Sequence, residues 1–233
     1  MDEFSRYAIY WAPAPGLLAQ TAAVWLGWDP EAGVAPGASA LSDPGFAAQH
    51  ESLARLTSDP RKYGLHGTIK APFRLADGVS RQDLSSALAK LCATAAPVVL
   101  QGLQLQQIEG FLALTPKGDA AALSALAARV VQDLDPCRAP LTEAELARRR
   151  PDRLNIRQRE LLALYGYPHV LEQFQFHLTL SNTLTEGEAA TLRPLAGRLF
   201  LPLLPRPFVI DSLCLFGEAK DRFHVLERHA LTG

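Results

Sequence analysis

The sequence predicts an α+β fold built from one unit used twice. Three observations predict it. The order strand, helix, strand, strand occurs near residues 65–115 and again near 175–227. Each occurrence opens on the same pattern, apolar-His-x-Thr-apolar: Leu65-His66-Gly67-Thr68-Ile69 and Phe176-His177-Leu178-Thr179-Leu180. The 233 residues are 48% hydrophobic and 20% charged, which suffices for a core in one large domain or two small lobes. Beyond the His motifs the halves share no detectable identity, so the duplication is one of architecture.

The elements follow in order. Residues 6–12 (RYAIYWA) are β-branched and aromatic and stop at Pro13, as a strand does. Residues 17–28 have the apolar spacing of a short helix, 29–44 read as a loop, and 46–56 as a helix ended by the turn at 57–60. Residues 65–71 form a strand stopped by Pro72. An amphipathic helix spans 81–93, with Leu84, Leu88 and Leu91 on one side. Strands at 97–106 and 111–115 flank a turn at Glu109-Gly110, and an Ala/Leu helix spans 119–134 with Asp119 near its N-cap. In the segment 137–167, Thr142 and Glu145 form a T-x-x-E capping box, and a second helix covers 154–164 before Gly166-Tyr167-Pro168. Then come a strand at 173–180, a helix at 186–200 and strands at 208–216 and 222–227. This order suggests one bilobal domain over 1–233: lobe 1 at about 1–135, a helical connecting segment at 136–170 and lobe 2 at about 171–233.

Composition narrows the function. A net charge of -1 and a pI of about 6.6 give no electrostatic sign of a nucleic-acid or membrane binder. Cys92, Cys137 and Cys214 are odd in number, far apart and form no C-x-x-C pair. This argues against a disulfide framework or zinc knuckle and favours a reducing cytoplasm. The N-terminus lacks the basic and apolar regions of a secretory signal, and no apolar run is long enough to span a bilayer.

The chemistry lies in the two His-x-Thr motifs. Side chains alternate along a strand, so His and Thr two apart share a face while their apolar neighbours enter a core. If the halves pack about a pseudo-twofold axis, His66, Thr68, His177 and Thr179 meet in one cleft. One neutral imidazole then removes a proton from a nucleophile, and the other, protonated, supplies a proton to a leaving oxygen. The threonine hydroxyls stabilise charge on phosphate oxygens. No metal or cofactor is needed. A single histidine in a strand is more often structural, and His50-Glu51-Ser52 matches by letters while lying in a helix. Two matches at equivalent places of a repeat are far harder to obtain by accident.

These motifs make the chain resemble the 2H phosphoesterase superfamily, and the resemblance covers most of the chain. The segments RYAIYWAPAP (6–15), DPRKYGLHGTIKAPFRL (59–75), CRAPL (137–141) and YGYPHVLEQFQFHLTL (165–180) are similar to its phosphonate metabolism protein branch. The resemblance implies two pseudo-symmetric lobes, each an antiparallel sheet with helices packed outside, around a central cleft. It also implies the acid–base roles of His66 and His177, the phosphate-binding roles of Thr68 and Thr179, and a place beside carbon–phosphorus lyase genes.

Other residues are candidates for substrate binding. Lys70 and Ser181 each follow a motif Thr by two and should face the cleft. Arg138 is favoured over the run Arg148-Arg149-Arg150 as a bidentate phosphate ligand, because charge runs are more often solvated helix ends. Tyr63 and Tyr167 could line the groove. Trp11, Trp25 and Trp28 read as core or rim, His169 matches no pattern, and Glu218 and Asp221 look solvated. The leading function is cleavage of a phosphodiester on a small phosphorylated substrate, a ribosyl cyclic phosphate in particular. RNA-end processing and non-catalytic binding of a phosphate ligand are the alternatives.

Overall fold

The computed structural model describes residues 4–37 and 43–233, so residues 38–42 of the expected loop lie outside the described residues. The chain runs β1 (Arg6–Trp11), α1 (Leu17–Leu26), α2 (Pro44–Leu56), β2 (Gly67–Phe73), α3 (Arg81–Cys92), β3 (Val98–Leu100), β4 (Leu103–Ile108), β5 (Phe111–Pro116) and α4 (Ala121–Asp133). It continues through α5 (Glu143–Arg148), α6 (Ile156–Tyr165), β6 (Leu178–Thr183), α7 (Glu186–Phe200), β7 (Phe208–Ile210), β8 (Ser212–Ala219) and β9 (Arg222–Ala230).

Local chemistry sets these boundaries. Four helices start at reciprocal capping boxes: Ser80 with Asp83, Thr142 with Glu145, Asn155 with Gln158, and Thr185 with Glu188. Each satisfies backbone N–H groups that the first turn leaves unpaired. The helix α6 stops at Gly166, whose left-handed φ of 71° suits glycine. Two-residue turns with positive φ close the hairpins, at Glu109-Gly110 between β4 and β5 and at Lys220-Asp221 between β8 and β9.

The α+β class with antiparallel sheets and packed helices stands. A seven-stranded sheet has the order β4-β5-β6-β2-β1-β8-β9, and β3 pairs with β7 in a separate two-stranded sheet. Among the described residues every strand pairing is antiparallel. The repeated unit is visible as strand, helix, short strand and hairpin, from β2 to β5 and from β6 to β9. The hairpins of the two units are exchanged across the connecting segment expected at 136–170. The first unit's hairpin pairs with β6, and the second unit's hairpin pairs with β1 beside β2. Each side of the sheet therefore takes strands from both halves of the chain.

One sheet face carries the core. Tyr7, Ile9 and Trp11 of β1, Leu213 and Leu215 of β8, and Leu178 and Leu180 of β6 pack on α1, α2, α3, α4 and α7. The intervening residues Ala8, Tyr10, Cys214 and Phe216 face the other way. This is the period of two that strands impose. The indole of Trp25 reaches across from α1 and donates to the Leu180 carbonyl at 2.7 Å, fixing that helix on β6.

The two sides of the sheet meet at a seam with a single register pair, Gly67↔Leu178. A Cβ on Gly67 would lie 2.2 Å from a ring carbon of the buried Phe176, so only glycine admits that ring. Gly67→Ala should therefore lower stability by about 1–3 kcal/mol through overpacking. Phe176→Leu in the same chain should recover part of that loss. Urea denaturation midpoints of the single and double variants check this, and equal midpoints for Gly67→Ala and the parent chain would refute the close-packed seam.

Candidate active site

Both His-x-Thr motifs open onto one cleft of about 360 Å³, lined by His66, Thr68, His177 and Thr179 among others. The strands expected at 65–71 and 173–180 begin later, at Gly67 and Leu178. Each histidine thus sits one residue ahead of its strand, where the seam has only one pairing. There the same device holds both rings. His66 Nδ1 lies 3.0 Å from the Gly64 carbonyl, and His177 Nδ1 lies 2.9 Å from the Gln175 carbonyl. A carbonyl only accepts, so Nδ1 carries the proton and Nε2 is left to act as a base or, once protonated, as an acid. Among the described residues, neither Thr68 nor Thr179 has a protein hydrogen-bond partner for its hydroxyl, and both line the cleft.

The surroundings of the two rings differ. Tyr10 and Tyr63 cover His66, with ring centroids at 4.2 and 5.0 Å. The edge of His66 reaches the cleft while its faces are shielded. Its pKa is pushed down to about 4, chiefly by burial, against the Gly64 carbonyl and with a smaller contribution from the nearby His177. His177 has the ring of Phe111 at 5.6 Å and is half-buried.

A buried ion cluster holds Tyr63 in place. Glu218 is 5% exposed, accepts from Arg6 Nη2 at 2.9 Å and pairs with Lys62 Nζ at 2.8 Å. Burial would raise its carboxyl, but the two cations hold it down at about 2. The expectation that Glu218 is solvated fails, because its place two residues before the turn on β8 puts it under the 60–62 turn. Asp221, in the turn itself, is exposed. Asn182 accepts from the Asp59 N–H at 3.0 Å and donates to Ser58 Oγ at 2.8 Å, clamping the 57–60 turn to β6.

The second-tier candidates divide. Tyr63 and Tyr167 line the cleft. Lys70 does not. The register of β2 against β1 slips by one between Tyr10↔Thr68 and Ile9↔Lys70, which breaks the alternation. Lys70 turns beneath the cleft, donates to the Val131 carbonyl at 3.0 Å and pairs with Asp135 at 3.4 Å. Burial pushes its ammonium down to about 8 against the pull of Asp135. Arg138 is also absent from the cleft. It grips Asp135 at 2.8 and 3.2 Å and donates to the Leu164 carbonyl at 2.9 Å, tying the connecting segment together. Ser181 borders the cleft, but its hydroxyl is engaged. It accepts from the Leu112 N–H at 2.9 Å and donates to the Asn182 carbonyl at 2.8 Å, repairing the ladder where β5 and β6 shift register.

Sequence reasoning undervalued two residues. Arg149, from the run expected to be solvated, lines the cleft with its guanidinium 4.9 Å from the Tyr167 ring centre. Tyr10 was legible by alternation along β1, since it stands opposite Thr68. His169, which matched no pattern, lines a neighbouring cavity of about 330 Å³ that also borders His177, together with Gln158, Gln173 and Gln175. Among the described residues, no group of three or more His, Cys, Asp or Glu side chains could hold a metal ion, and no helix is long and apolar enough to cross a membrane.

Comparison with known proteins adds the following. A protein from Janthinobacterium sp. (strain Marseille), named ribose 1,5-bisphosphate phosphokinase PhnN, is 37% identical over 222 residues, 93% of this chain and 48% of its own. A protein of the same name from Laribacter hongkongensis (strain HLHK9) is 32% identical over 216 residues, 91% of this chain and 48% of its own. The chain thus spans about half the length of the curated relatives it matches. Solved structures similar to it include E. coli LigT complexed with NADP+, at 14% identity and a TM-score of 0.44 over all of both chains. A crystal structure described as a phosphoesterase has 14% identity and a TM-score of 0.42, over 98% of this chain and 99% of that one. Residues 68–224, from the first motif threonine to β9, match the family described as "Protein of unknown function (DUF1045)", and the chain belongs to that family.

Proposed function

We propose that this chain is a 2H-type phosphoesterase that cleaves a cyclic phosphate, or another phosphodiester, on a ribose-type substrate in phosphonate metabolism. The reading rests on one observation. Two imidazoles, each held through Nδ1 by the carbonyl two residues upstream, line one cleft with two unengaged threonine hydroxyls. The relatives' name, which pairs phosphorylated ribose with PhnN, supports the substrate class and the metabolic setting. The chain has no G-x-x-x-x-G-K-[ST] loop, so the phosphokinase step in that name is not assigned to it.

The unequal surroundings give the histidines different tasks. His66, held neutral by its tyrosine cover, is the base. Its Nε2 takes a proton from water as the water oxygen attacks phosphorus. His177, on the more open side, is the acid. It delivers a proton to the departing ester oxygen as that P–O bond breaks. Thr68 and Thr179 donate to the non-bridging oxygens, and Arg149 supplies positive charge at the wall. The proton gained by His66 and the one lost by His177 re-equilibrate with solvent between turnovers, and no metal ion is required.

Purified protein should open a nucleoside 2′,3′-cyclic phosphate in the presence of EDTA. His66→Ala and His177→Ala should each lower kcat by about 10²–10⁴-fold, the range for a positioned acid or base. Thr68→Ala and Thr179→Ala should each lower it by about 10²-fold, with KM changing less. Loss of turnover with chelator, or full turnover in both histidine variants, would remove the reading.

The pH profile separates the two roles. A base is active when deprotonated, so a pKa near 4 places the acidic limb of kcat/KM far below that of an ordinary imidazole. Tyr63→Ala exposes the His66 ring and relieves the main cause of the shift, so the acidic limb should move up towards pH ~6.5. His66→Ala should abolish that limb. An acidic limb unmoved by Tyr63→Ala would argue against His66 as the titrating base.

A further inference from the structure

Next to the cleft lies a second pocket of about 210 Å³, lined by Arg6, Arg74, Arg148 and Arg149 with Glu145 as its one carboxylate. Pro72 and Arg149 line both spaces, so the two pockets adjoin. Two of the four cations are neutralised within the fold. Arg6 is paired with Glu218, and Arg74 makes two contacts of 3.1 Å with Glu145. Arg148 and Arg149 have no carboxylate within salt-bridge distance among the described residues. Their placement follows from the backbone. The helix α5 ends at Arg148, Arg149 caps it, and Arg150 takes a left-handed φ of 47° that turns the chain away ahead of Pro151. The run of three thereby sends two guanidiniums to the pocket wall, while Arg150 lines neither space.

We propose that this pocket binds a phosphomonoester carried by the same molecule whose phosphodiester lies between His66 and His177. The substrate class is then a sugar phosphodiester with a second, terminal phosphate. A phosphomonoester carries close to two negative charges near neutrality, which matches the two unpaired arginines. Guanidiniums also hold phosphate oxygens bidentately, a geometry that a lysine or a solvated helix end does not offer. Arg149 lines both spaces, its guanidinium set over the Tyr167 ring, where it can touch both phosphates. The two phosphates fix the ligand at both ends and so orient the scissile ester. This inference rests on the function proposed above for the substrate's reactive end, but the pocket can be tested without turnover.

Calorimetry should show that ribose 5-phosphate binds the full chain and that Arg148→Gln weakens binding by about tenfold or more, as expected for one lost charged hydrogen-bonding partner. In parallel, kcat/KM is measured for a nucleoside 2′,3′-cyclic phosphate with and without a 5′-phosphate. The preference for the 5′-phosphorylated compound should fall by a similar factor in Arg148→Gln. Equal affinity of parent and variant for ribose 5-phosphate, no binding to the parent, or an unchanged preference would each overturn the proposal. Arg148-dependent binding without turnover of either compound would keep the pocket and remove the phosphoesterase reading instead.

Discussion

The contact between Gly67 and Phe176 governs the rest of the structure. The two sides of the sheet share one register pair, Gly67↔Leu178, and the Phe176 ring fills the space that a side chain on Gly67 would take. Gly67 directly follows His66, and Phe176 directly precedes His177. The residues that lock the seam are thus the covalent neighbours of both imidazoles, and their packing sets how far apart the rings stand. A protein interior packs at crystal-like density and yields little to small forces. A glycine and a phenylalanine across a seam are therefore a stiffer spacer than any surface loop could be.

The chain repeats a device and then varies what surrounds it. Both histidines donate Nδ1–H to a carbonyl two residues back, so both present the same nitrogen. The exchange of hairpins places them in different company. His66 lies on the side where β1, β8 and β9 bring Tyr10, Phe216 and Phe223 into one apolar cluster with Tyr63. His177 lies on the side of β5, beside Phe111 and the glutamine-lined cavity. A pseudo-symmetric pair of strands thereby yields an unsymmetric pair of rings, which suits the proposed division into a base and an acid.

Much of this was legible in the sequence, and what was not has physical reasons. Helices began where Thr142 and Glu145 or Glu186 and its neighbours said they would, because caps and periodicity are local. The His-Thr pairs were legible because a period of two is local as well. The interleaving of the halves was not, since which strands pair is decided by non-local packing. Lys70 turns away from the cleft, and Ser181 borders it with its hydroxyl engaged, for one shared cause. Each follows a motif by two, but the ladder slips or shifts beside it, and a bulge leaves no clear mark in composition. Arg138 was chosen over Arg149 because a run of arginines reads as solvated, and only the left-handed turn at Arg150 separates the members of that run.

The division of labour across the chain follows from this. The groups fit for chemistry come from the repeated strands, whose geometry is fixed by the seam. Arg149 and Tyr167 come from the connecting segment, which has no counterpart in the repeat and folds back to wall the cleft. That segment is secured at its base by Asp135, which Arg138 grips and Lys70 meets from β2. Lys70 and Arg138, sought first as phosphate ligands, thus act one layer below. They anchor the segment that presents Arg149. A lysine with its ammonium already lowered towards neutrality by burial is held there by Asp135 and the Val131 carbonyl together. Removing the Asp135 carboxylate would leave a buried cation without its counter-charge and loosen the wall, while the strands that follow the two imidazoles would keep their seam.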